Sequence, residues 1–268
     1  MTTQDLPLMT ILDPGPDVLP GAALSAIDDL AARHRAANGL LIRLVNLAGG
    51  QIENRMELLP DRVKDRIETA AQTALTMAYQ IAARSHAAEP AQPSGIADRG
   101  HLALATLTGA IGGFGGLPTA LAELPVTTTV ILRAIQSIAQ VHGFDLTDAA
   151  VRAECIQVFA SGSPLGGDDG VNTSFLTAKI TLTGATIQRL IAAAAPRFAA
   201  VLGQKLAAQA VPILGAVTGA GVNYAFAGYY QEMAHVRFGL LRLARSHDPQ
   251  AIADAFRQAV GPARINRA

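Results

Sequence analysis

Two stretches of this chain carry no charged residue: Leu102–Ala122, 21 residues long, and Leu206–Gln231, 26 residues long. A run of that length has two physical outlets. It crosses a membrane, which takes about 18 or more apolar residues, or it is packed on all sides inside a protein. The residue types favour burial. The first stretch holds Gly109, Gly112, Gly113, Gly115, Gly116 and Pro118, and the second holds Gln209, Pro212 and Asn223 among many alanines. Hydrophobicity of alanine and glycine grade gives little drive into lipid. Neither stretch has the aromatic and basic flanks on both sides that anchor a span. Glycines four apart, as at Gly215 and Gly219, also let helices approach closely.

The remaining composition points to helix. Alanine is roughly a fifth of the chain, above ordinary usage and favourable to helix. No segment alternates with period two for long, and there is no βαβ pattern or long repeat. We expect an all-α fold: one compact domain of about eight to ten helices around an apolar Ala/Gly-rich core. A chain of 268 residues buries enough surface for such a core without a disulfide or structural metal. The lone Cys155 excludes an intramolecular disulfide and a cysteine-based zinc site. Lys+Arg and Asp+Glu are equal at 21 each, which argues against a general nucleic-acid binder.

Along the chain, residues 1–20 read as a mobile Pro/Asp-rich arm, 21–260 as the helical domain and 261–268 as a basic tail. Residues 1–30 contain five aspartates and no Lys or Arg, which does not fit a secretory signal. Breaks are expected at Gly39, at Gly49-Gly50 and within Ile213–Arg245. Helices are expected over Asn172–Ala194 and Arg197–Gln209. Asp61 in a first turn and the stripe Val63, Ile67, Ala70, Ala71, Ala74, Ala78, Ile81 and Ala82 predict an amphipathic helix from Pro60 to about His86. Ala87–Gly95 reads as a linker and Ser161–Gly170 as a loop. Thr147 is placed to cap a helix through Phe159, and Pro125 to start one over Val126–His142.

Most catalytic signatures are missing. There is no P-loop, no GxSxG elbow and no complete calcium loop at Asp168–Asn172, and no cofactor is indicated. Glu232 and His235 form one Glu-x-x-His on a predicted helix, where di-iron bundles use two copies plus two further glutamates. The other histidines show no paired spacing. Glu123 stands out as a carboxylate inside the apolar centre, where a charge must be paired, hydrogen-bonded, metal-bound or protonated. Its candidate partners are Arg133, Lys205, Asn223 and Glu232. A direct Glu123–Arg133 pair is strained by about 15 Å of helix between them, so the expected cluster involves a third element. Three readings stay open: a structural network, a polar ligand or metal site, and catalysis by two carboxylates. From Met233 onward, six arginines face two aspartates, a net of +4. This section could form ordinary solvated faces or a basic face toward anionic lipid.

The runs GGFGGLPTALAELPVTTTVILRAIQSIAQVHGFDL (Gly112–Leu146), CIQVFASGSP (Cys155–Pro164) and Arg197–Leu243 resemble the bacterial EcsC family in order and spacing. The resemblance covers roughly Asp61 to Arg245. It implies that Glu123, Pro125, Arg133, Asn223 and Glu232 are motif positions. It also implies that many members carry histidine where this chain has Tyr229 and Arg237, so a metal site built on those histidines is not reproduced here. The family's founder is encoded beside an ABC exporter of the cytoplasmic membrane, and the family has no established activity. The resulting expectation is a non-enzymatic, cytoplasmic accessory protein, peripheral to the inner membrane face, that binds lipid, an apolar ligand or a membrane transporter. Alternatives are a hydrolase or metal-dependent enzyme using Glu123 and Glu232, and a cytosolic helical scaffold.

Overall fold

The structure is a computed structural model that describes residues 19–47, 61–85, 100, 103–104, 116–160, 173, 176, 184–209 and 215–261. Among these, seven helices are delimited and no strand occurs, so the chain is all-α. They are α1 (Gly21–Leu47), α2 (Asp61–Ser85), α3 (Gly116–Val141), α4 (Ala149–Ala160), α5 (Gly184–Gln209), α6 (Gly215–Leu243) and α7 (Pro249–Val260). Eight to ten were expected over the whole chain. The limits of the described helices differ from expectation for one recurring reason: residues read as helix breaks lie inside longer helices. α1 continues through Gly39, α5 through Pro196 and α6 through all its glycines, while α3 starts at Gly116 and carries Pro125 within it.

Burial explains this. An interior proline costs a helix about 3 kcal/mol and a glycine about 1 kcal/mol, and tertiary packing offsets such penalties. The larger core joins α2 through α6, with Ile67, Leu75, Leu132, Ile135, Ile156, Ile191 and Phe238 buried in it. At its centre Phe159 packs on Phe198 and Tyr230 with ring centroids 5.0 and 4.9 Å away, within the range where aromatic pairs attract beyond simple area burial. A second core joins α1, α6 and α7 through Ile27, Leu30, Leu240, Ile252 and Phe256. α6 therefore serves both cores from different faces, which is why so much of it carries no charge.

The amphipathic stripe of α2 behaves as expected. Ile67, Ala71, Ala74 and Ala78 are buried while Arg62, Asp65, Arg66 and Glu68 are exposed. α2 covers both α3 and α5, and α3 and α6, the two central apolar helices, pack on each other. At the α1–α6 crossing a Cβ on Gly239 would lie 2.5 Å from Leu30 Cδ2, so any side chain there would force Leu30 to move.

Local chemistry sets the ends. α7 begins with Asp248, whose carboxylate accepts from Ala251 N–H, followed by Pro249 at the first turn. At α4 the cap is Asp148, whose Oδ1 accepts from Ala150 N–H at 2.8 Å. Thr147, the expected cap, donates its N–H to Asp145 instead. The Asp pair wins because a carboxylate is the stronger acceptor for exposed N–H groups.

Candidate functional site

The chain leaves α3 through a glycine turn. Gly143 adopts φ of 79°, its N–H bonds to Gln140 C=O, and Phe144 N–H reaches back to Ala139 C=O. This is the Schellman ending, which a left-handed glycine permits. It swings His142 and Phe144 against α6. Phe144 packs on Phe238 with centroids 5.2 Å apart, and the Arg245 guanidinium lies 4.0 Å over the Phe144 ring and donates to Gly143 C=O.

Beside that turn His142 Nε2 lies 3.2 Å from His235 Nδ1. One ring must donate and the other accept, so the pair holds at most one proton on the shared line. Burial, then His235, Arg242 and Arg33 in that order, push the His142 ring down to about 4. Arg33 of α1 reaches into the same region and donates to Glu232 Oε2 at 2.9 Å. Arg33, Arg242 and Arg245 are exposed, and His235 is buried. These groups come from α1, the end of α3 and α6. The His142–His235 pair is separated by 93 residues, so sequence spacing carried no sign of it. The signal available was the position of His142 just before a helix-ending glycine.

The Glu-x-x-His pair is present on α6, but its members diverge in role: Glu232 holds Arg33 and His235 holds His142. Among the described residues no group of three or more His, Cys, Asp or Glu side chains is placed to hold a metal.

A second polar site lies on another face of α6. Arg237, only 5 % exposed, donates through Nε to Glu154 Oε2 at 2.6 Å and through Nη2 to Gln157 Oε1 at 2.7 Å. Glu154 and Gln157 are one turn apart on α4, so a single guanidinium bridges both. Next to them Cys155 is fully buried, and loss of solvent raises its thiol far above the usual range. It is an inert core thiol. Tyr229, the other position where the family resemblance implied histidine, is buried with its hydroxyl pushed up by desolvation.

The expected Glu123 cluster is only partly described. Glu123 lies inside α3 as its eighth residue, and not just ahead of a helix as Pro125 had suggested. Pro125 is an interior residue whose C=O accepts from Thr129 Oγ1 at 2.7 Å, supplying one hydrogen bond in a turn that lacks the proline N–H. The Glu123 and Lys205 side chains lie outside the described residues. Arg133 is half-buried on α3 and Asn223 is fully buried on α6. Glu232 is taken up by Arg33.

The basic section after Met233 also divides on inspection. Arg237 is buried, Arg257 pairs with Asp254, and Arg264 and Arg267 lie outside the described residues. Arg242 and Arg245 remain as the exposed cations, joined by Arg33 from α1, which the local count had not included.

Among the described residues these features define an all-helical protein with a cationic, histidine-bearing surface and a buried ion pair. The chain belongs to the EcsC protein family, whose profile matches residues 27–243. No curated protein and no solved structure matches it. Among the described residues, no helix is long and apolar enough to cross a membrane.

Proposed function

We propose that this protein is a non-enzymatic accessory protein that works at the inner face of the cytoplasmic membrane and engages anionic lipid, alone or together with a membrane partner. The observation that carries this reading is the grouping of Arg33, Arg242 and Arg245 on adjoining elements, with Glu232 the one carboxylate bound to any of them among the described residues. Each cation near an anionic surface adds about 1 kcal/mol of attraction. The exporter association implied by the family resemblance fits the same location. The hydrolase alternative draws no support from Glu232, because Arg33 holds its carboxylate.

The test is co-sedimentation with phosphatidylcholine vesicles with and without phosphatidylglycerol. Binding should require the anionic lipid, weaken with added salt as screening shortens the field, and fall at least about tenfold in the Arg242→Glu/Arg245→Glu double variant. A wild-type chain that stays in the supernatant at low salt contradicts the reading and leaves the scaffold alternative in its place.

A further inference from the structure

The cationic surface has a focus. Arg33 uses one of its five N–H donors on Glu232, and its side chain is 45 % exposed, so its remaining donors face an accessible region. Arg242 is exposed on α6 seven residues, about two turns, beyond His235, and with Arg33 it acts electrostatically on the His142 ring. His142 and His235 meet at 3.2 Å with their rings edge to face. The two guanidiniums outweigh the one carboxylate, leaving a net positive centre before either histidine takes a proton. Arg245, fixed on Phe144 and Gly143, adds a third cation at the rim. Asp145, three residues past His142, is engaged with Thr147.

We propose that Arg242, Arg33 and the His142–His235 pair form a binding site for a phosphate group, carried by a lipid headgroup or by a free phosphate. The chemistry selects an anion. A divalent cation would have to sit against two guanidiniums, and no third ligand joins the histidines among the described residues. A phosphate instead accepts from the planar guanidinium forks, the geometry for which arginine is suited. It also offsets the field of Arg242 and Arg33 that, after burial and His235, holds the His142 ring down. Glu232 acts as the positioning residue, holding Arg33 on the face of α6 while leaving most of its donors unused. The lipid source of the phosphate rests on the membrane reading above; the site itself does not.

The experiment follows the imidazole nitrogens of the isotope-labelled protein by NMR. Sodium phosphate is titrated at constant ionic strength, in parallel with sedimentation on phosphatidylcholine vesicles with and without phosphatidic acid. The expected result is a saturable shift of the His142 and His235 ring signals with one or both probes. Arg242→Ala, at an exposed position that leaves the fold intact, should weaken it roughly tenfold. A response to inorganic phosphate with no vesicle binding supports the site and removes the membrane reading. A response to phosphatidic acid vesicles alone, lost in Arg242→Ala, assigns the headgroup. Vesicle binding that is equal in wild type and Arg242→Ala, with no saturable histidine shift, overturns the site while sparing the membrane reading. Stoichiometric zinc on His142 and His235 with no phosphate response also overturns it.

Discussion

Helix α6 is tied to α4 by Arg237 and Glu154, and to α1 by Glu232 and Arg33. The side chains of the first pair are 6 % and 15 % exposed, those of the second 28 % and 45 %. The same two residue types therefore work in opposite regimes. In the first pair both charges have left water, and each depends on the other and on Gln157 for compensation. Such a pair adds little net stability over a well-packed apolar substitute, but losing one partner strands a buried charge. In the second pair water screens the attraction, and exposed pairs contribute about 0.2–1 kcal/mol. The first arrangement is held because losing either partner would strand a buried charge. The gathering of Arg242 and Arg245 beside the second has no such reason, and the proposed ligand site would supply one.

The largest expected effect breaks the buried pair. Arg237→Ala should destabilise the fold by about 3–5 kcal/mol, because Glu154 is left without its cation. Chemical denaturation measures this, and a loss below 1 kcal/mol would mean that the pair is wetter than its burial indicates. Next comes the α1–α6 crossing that carries the exposed pair. Gly239→Ala drives a methyl into Leu30, itself buried, and should cost about 1–3 kcal/mol by overpacking. An unchanged thermal midpoint would show that α1 can slide freely on α6.

The histidine pair sharpens the comparison through pH. His142 titrates near 4 in the folded protein against 6.5 for an unperturbed ring. Between those values the unfolded chain binds a proton that the folded chain refuses. This contribution to stability is fully present above pH 6.5 and is lost as the pH falls toward 4. Since the ring is only partly buried, screening reduces it to about 1–2 kcal/mol. His142→Asn should flatten the fall in denaturation midpoint across that window; parallel profiles for variant and wild type would remove His142 from the account. The smallest effect concerns the exposed pair itself. A double-mutant cycle on Arg33→Ala and Glu232→Ala should return a coupling under about 1 kcal/mol. A value near that of the buried pair would erase the distinction.

How much of this was legible in the sequence differs by feature. The helical class and the role of α2 were readable, since Ile67, Ala71, Ala74 and Ala78 repeat at helical spacing and are buried. Family membership was readable from the order of the Gly/Pro-rich and Leu-Arg runs. Helix limits were not, because Gly39, Pro125 and Pro196 signal breaks locally while packing carries the helices through them. The cationic cluster was half legible. Arg242 and Arg245 stood out as charge, whereas Arg33 and His142 join them only through the crossing of α1 on α6 and the turn at Gly143. Arg237 misled the count: nothing local distinguishes an arginine that faces α4 from one that faces water. Glu123, the residue on which the sequence argument leaned most, lies within α3 with its side chain outside the described residues.

In the proposal, binding resides in the exposed cationic cluster, while removing either partner of the buried pair on α6 damages the fold and not the binding. The direct test measures thermal midpoint and anionic-vesicle binding together for Arg237→Ala and Arg242→Glu. The account predicts that Arg242→Glu melts with the wild type and loses vesicle binding, while Arg237→Ala melts well below it and, at a temperature where it remains folded, still binds. An Arg242→Glu protein that binds vesicles as the wild type does, or an Arg237→Ala protein that keeps its midpoint and loses binding, would contradict it.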